Sequence, residues 1–199
     1  VRGLTPGQLD AAFALIDGAN ADDPNRADWR GGSEPLAQLQ GVLATDWVRR
    51  LRPDADAALL LAARAHHLRR WTVPRATYPA GRAGYLRWRK DLKQRHADDL
   101  AALLAPLGLA SDVVARAGRL ITRVDLQTDP DARTVEDAAC LVFLQLQLDG
   151  VADALADDDH MVEILRKTAR KMSADGLAAA GTIELSPTGA DLLHRALNA

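Results

Sequence analysis

Cysteine is almost missing from this chain: Cys140 is the only one in 199 residues. A single thiol excludes an internal disulfide framework. Its apolar setting, AACLVFL, marks it as a small buried hydrophobe rather than a nucleophile. Aromatic residues are scarce at 4%, and alternating runs of Val, Ile and Thr are lacking, which argues against a sheet-built core. No stretch approaches the roughly 20 consecutive apolar residues of a membrane span. The opening residues, VRGLTPGQLDAAF, contain no apolar signal-peptide core. Together these absences predict a cytoplasmic protein that keeps its thiol reduced and has no membrane partner. No internal repeat is present either.

What is present is Ala and Leu at helical spacing, and enough chain for one sizeable core. The expectation is an all-α, single-domain helical bundle over residues 1–199. Thr5–Pro6 reads as a helix start, with the helix running to about Ile16. Residues 17–33, DGANADDPNRADWRGGS, read as a polar loop long enough to act as a lid. A second helix is expected from Pro35 to Leu51, and a third, capped by Asp54, from Ala55 to about Trp71. The third is apolar on nearly every side and so central to the fold. A fourth should run from Gly84 to Leu104, a fifth from Ser111 to Val124, and a sixth from Thr134. Shorter helices follow over 159–172, near Leu177, and from Ser186–Pro187 to Leu197.

Charge is distributed unevenly. The net charge is −2, yet the stretch from Arg64 to Asp99 holds ten basic residues against three acids. It also holds His66, His67 and His96, both tyrosines, and Trp71 and Trp88. A guanidinium offers a planar fork of donors that suits phosphate and carboxylate. Arg70, Arg75, Arg82, Arg89 and Lys93, interleaved with Tyr85 and Trp88, are therefore candidate contacts for a phosphate-bearing small molecule or a nucleotide, with RNA a further candidate partner. A second constellation consists of His67, His96 and Asp137, each on the inward stripe of a central helix. Two imidazoles and a carboxylate are a competent set for a divalent metal ion such as Mn, Fe, Zn or Mg. Plainer readings stand beside both: surface ion pairs for the arginines, and a capping-box role for Asp137, three residues after Thr134.

The pattern RRW-x2-PR-x2-YP-x-GR-x-GYL-x-WR over Arg69 to Arg89 is followed by His96–Ala97, by EDAACLVFL from Glu136 and by KTARKMS from Lys167. In these features the chain resembles an uncharacterised bacterial and fungal family, from about Leu51 to the C-terminus. Some members of that family carry a glutamyl-tRNA synthetase label, but this chain has no HIGH-type motif, and KMS is too short a string to carry one. More distantly the layout is similar to the HD-domain phosphohydrolases. That resemblance implies an HD-like fold and a metal held by His67, His96 and Asp137, which would also be the catalytic residues of a metal-dependent hydrolase of phosphorylated compounds. His66 and Glu136 would lie nearby. The chain departs from the superfamily at Leu68, where the paired aspartate belongs, and over Ala37 to Gly41, which has no histidine. The resemblance thus leaves open either a one-metal hydrolase or a degenerate fold that only binds a nucleotide or RNA.

Overall fold

Thr5 caps the first helix through a complete capping box. Its hydroxyl accepts from the Gln8 amide at 3.2 Å, and the Gln8 side chain accepts from the Thr5 amide at 3.0 Å. The helix, α1 (Pro6–Asn20), outruns the expected end at Ile16. It continues because Asp17 forms a two-pronged ion pair with Arg64, at 2.7 and 2.5 Å, which ties its last turn to the third helix. In this computed structural model residues 3–198 are described, and they form ten α-helices and one two-stranded hairpin.

The hairpin corrects the reading of 17–33 as a structureless loop. β1 (Arg26–Trp29) and β2 (Gly32–Pro35) pair antiparallel across Arg30 and Gly31. Both turn residues have positive φ, 51° and 82°, the geometry of the tight two-residue turn that matches strand twist. Before the hairpin, Asp23 is buried and accepts from the Asn25 amide (2.9 Å), the Asn25 side chain (2.8 Å) and the Ala37 amide (2.9 Å). It thereby satisfies an orphan donor in the first turn of α2 (Leu36–Leu51) and fixes the loop to that helix.

α3 (Ala57–Ala65) is shorter at both ends than expected. Asp56, not Asp54, caps it, accepting from the Leu59 amide at 2.9 Å. It stops at Ala65 because the chain turns there, with Arg69 in the left-handed region at φ 51°. The Asn20 side chain accepts the Arg69 amide at 2.9 Å and holds that turn. The centrality of α3 is as expected: Ala58, Leu59, Leu60, Leu61, Ala62, Ala63 and Ala65 are all buried, against α1, α2 and two later helices, α5 (Ser111–Thr122) and α6 (Pro130–Leu146).

The segment after the turn makes two single 3-10 turns, 70–72 and 75–77, before α4 (Gly81–Leu104). Gly84 lets this segment fold back on α4, since a Cβ there would collide with the Pro79 carbonyl. α6 begins at Pro130 and is capped by Asp129, one turn before the expected start at Thr134. Arg116 of α5 grips both Asp129 and Asp131, which anchors that start. The chain ends in α7 (Leu148–Leu155), α8 (Asp158–Ala169), α9 (Ala174–Ala180) and α10 (Pro187–Leu197). Among the described residues, no single helix is long and apolar enough to cross a bilayer.

Candidate functional site

The early end of α3 puts His66 and His67 in a turn rather than on a helix stripe, and that turn faces His96 of α4. The rings of His66 and His67 are 4.1 Å apart between centroids, and those of His67 and His96 are 6.2 Å apart. Nδ1 of His66 lies 2.8 Å from the Ala63 carbonyl, and Nδ1 of His96 lies 2.7 Å from the Leu68 carbonyl. A carbonyl only accepts, so both imidazoles carry their proton on Nδ1. His67 Nδ1 meets Gln40 Oε1 at 2.7 Å, and Gln40 in turn donates to Gln147 at 2.9 Å, which fixes His67 in the same tautomer. Nε2 of His66 and of His96 is buried without a hydrogen-bond partner among the described residues. Burial, reinforced by the charges of Arg123 and Arg70, pushes the pKa of each down to about 3. His67 is depressed as well, by burial first and then by His66. All three rings are neutral at physiological pH.

Around this turn stands a group of cations with one buried carboxylate. Arg123, in the left-handed position that ends α5, brings Nε to 3.0 Å from Glu136 of α6, and both side chains are buried. Burial alone would raise the Glu136 carboxyl. Arg123, Lys93, Lys171 and Arg89 together hold it below its ordinary range. Lys93 is pushed down to about 8 by burial and by Arg123, partly offset by Glu136. Glu136, Lys93, Lys171 and Arg89 line a cleft of about 500 Å³, with Leu86, Lys90 and Asp91 also in its wall; Arg123 reaches it only through its pairing with Glu136. Arg89, Lys90, Lys93 and Lys171 outnumber the two carboxylates of the lining, Glu136 and the exposed Asp91, and Glu136 is already paired with Arg123, so the cleft is poised to accept an anion.

Arg70, half-buried, stands 4.7 Å over the Trp88 ring, and its pKa is lowered by burial first and then by the charge of Arg89. Arg89 lies 5.8 Å over Tyr85, whose ring is 6.0 Å from Trp88. Tyr85, Trp88, Arg89, Lys93 and His96 thus share one side of α4, as helical spacing requires. Arg75 does not join them: its guanidinium donates to the carbonyls of Tyr78 (2.9 Å), Pro79 (2.8 Å) and Gly81 (3.2 Å), so it braces the loop. Arg82 is exposed in the first turn of α4. A second cleft, of about 350 Å³, opens on the far side of Arg70 and is lined by Asn25, Gln40, Trp71, Pro74 and Trp88. A larger cleft, about 650 Å³ along the α4–α5 contact, holds none of the histidines or clustered cations.

Asp137 does not complete the metal set expected from the sequence. Its carboxylate accepts from the Ser173 amide at 2.9 Å and the Ser173 hydroxyl at 2.6 Å, at the start of α9. Gly176 packs so closely that a Cβ there would meet the carboxyl carbon at 2.6 Å. Nor is Asp137 in a capping box with Thr134, because the helix opens earlier and Thr134 donates to the Pro130 carbonyl. Among the described residues, no three His, Cys, Asp or Glu side chains come together to hold an ion. Asp137→Ala is therefore expected to lower stability by about 2–4 kcal/mol, through two lost charge-assisted hydrogen bonds. Phosphate affinity should stay unchanged. Denaturant melts and calorimetric titration of the same variant check both halves.

The sequence reading did not single out Arg123, Lys171 or Gln40. Arg123 sits in a solvent-like context, beside Thr122 and Asp125, and only the left-handed helix end turns it inward. Gln40 lies beside Leu39 in the second helix, and nothing near it in the sequence marks it as a partner of His67. Cys140 is buried as expected, its thiol pushed up to about 12 by burial and by Glu136.

No curated protein matches this chain, and no solved structure does. The region related to other proteins extends well N-terminal of Leu51, taking in α1, the hairpin and α2: residues 10–193 match one family along nearly the whole chain, which thus belongs to the family described as a domain of unknown function, DUF4202.

Proposed function

We propose that this chain binds a phosphorylated small molecule or nucleotide, with the phosphate in the cleft between Arg89, Lys93 and Lys171. One observation carries the reading: Arg89, Lys90, Lys93 and Lys171 line one cleft and outnumber its carboxylates, Glu136 and Asp91, the first of which is already paired with Arg123. Such a cluster is self-repelling until a dianion enters. The depressed Lys93 and Arg70 report that repulsion together with their burial. The test is calorimetric titration of the protein with ribose 5-phosphate. Arg89→Ala and Lys93→Ala should each weaken binding about ten- to a hundredfold, the value of a charge-assisted contact. Arg195→Ala, at the far C-terminal end, should leave affinity unchanged. Equal affinity in all four proteins would sink the proposal.

An HD-like, metal-dependent hydrolase is the second reading, and the shared tautomer of the three imidazoles favours it. Metal-binding histidines commonly donate one ring N–H to a carbonyl or side chain and leave the other nitrogen free. As arranged, however, these side chains do not form a set that fits an ion. Elemental analysis of the purified protein and of His96→Ala decides: about one ion per chain, lost in the variant, would revive it.

A further inference from the structure

We infer that the cleft of about 350 Å³ beside Arg70 is a ring-binding subsite, so that the ligand is a mononucleotide rather than a simple sugar phosphate. The inference rests on the phosphate site proposed above and extends it. The cleft has the two things a nucleobase needs. Trp71 and Pro74 offer flat apolar surface, and Asn25 and Gln40 offer amide donors and acceptors at the edge. Gln40 uses its oxygen toward His67 and one N–H toward Gln147, which leaves a second N–H free.

The cleft is also prebuilt. Asp23 pins the loop carrying Asn25 to the start of α2 through three accepted hydrogen bonds. Asn20 holds the Arg69 amide, and the Trp88 indole donates to the Val73 carbonyl at 2.9 Å. Both walls are thus in place before a ligand arrives, and little ordering entropy remains to be lost. Arg70 joins the two halves. It lines the ring cleft and covers Trp88, and it is close enough to Arg89 of the phosphate cleft for the two charges to repel. A ligand with a planar ring at one end and a phosphate at the other meets a complementary surface at each.

The experiment compares adenosine 5′-monophosphate with ribose 5-phosphate by calorimetry on the full chain. The nucleotide should bind about ten- to a hundredfold more tightly, the usual gain from stacking one base. Trp71→Ala should bring the nucleotide down to the ribose 5-phosphate value and leave ribose 5-phosphate itself unchanged. Trp71→Phe, which keeps a ring, should recover most of the gain. Equal affinities for the two ligands in the wild type, or an equal loss for both in Trp71→Ala, would overturn the ring subsite while leaving the phosphate site intact. If neither compound binds, the phosphate reading falls, and the ring subsite with it.

Discussion

Replacing Glu136 by glutamine is expected to lower the melting temperature by about 6–20 °C. The change leaves the Arg123 guanidinium buried with no counter-charge, a situation that typically costs about 3–5 kcal/mol. Lys93, Lys171 and Arg89 make it worse, since each repels Arg123 once the carboxylate is gone. Arg123→Met should cost clearly less, because Glu136 would still have those three cations around it. The two variants should differ in the opposite sense toward ligand. Glu136→Gln removes the only repulsion a phosphate meets from a buried carboxylate in the cleft, so added inorganic phosphate should bind more tightly and restore much of the lost melting temperature. Arg123→Met should bind phosphate more weakly than wild type. Thermal melts of both variants, with and without phosphate, supply the comparison. Equal destabilisation, or no protection by phosphate in either, would mean that the charge balance of the cleft has been misread.

Acid should destabilise the protein well before its carboxylates are protonated. His66 and His96 have folded-state pKa values of about 3 against an ordinary value of 6.5. Between those limits the unfolded chain binds protons that the folded chain refuses, so stability rises with pH throughout the window. The contribution is fully present above pH 6.5 and is lost progressively as pH falls toward 3. His67 is depressed in the same direction, so for three such residues the slope approaches about 4 kcal/mol per pH unit. Glu136 and Asp129 are held below their ordinary values and act lower on the scale, so the interval from pH 6.5 to 5 belongs to the histidines. Denaturant melts across that interval should show the slope, and His96→Gln should remove about a third of it. A flat profile would mean that water or a ligand already meets the two Nε2 atoms in solution.

The parts of this protein that sequence determined are those that depend on near neighbours. Thr5–Pro6, Ser186–Pro187 and the apolar run of α3 specify helix starts and a central helix, because capping and helical periodicity act within a few residues. The all-α class follows from the same local preferences. The stripe of Tyr85, Trp88, Arg89, Lys93 and His96 is likewise a consequence of 3.6 residues per turn. The hairpin was harder to see, since its turn is Arg30–Gly31 rather than the Asn-Gly or Asp-Gly that usually marks such a turn. Tertiary structure decided the rest. A left-handed Arg69, held by Asn20 from forty-nine residues away, ends α3 and turns His66 and His67 toward α4. A left-handed Arg123 swings an ordinary surface arginine onto Glu136. Ser173, thirty-six residues on, takes the carboxylate that looked like a metal ligand. Charge and residue type were written in the chain, but which charges face one another depends on long-range packing. Only the folded chain could separate Arg75, which braces a loop, from Arg70 and Arg89, which stand between the two clefts.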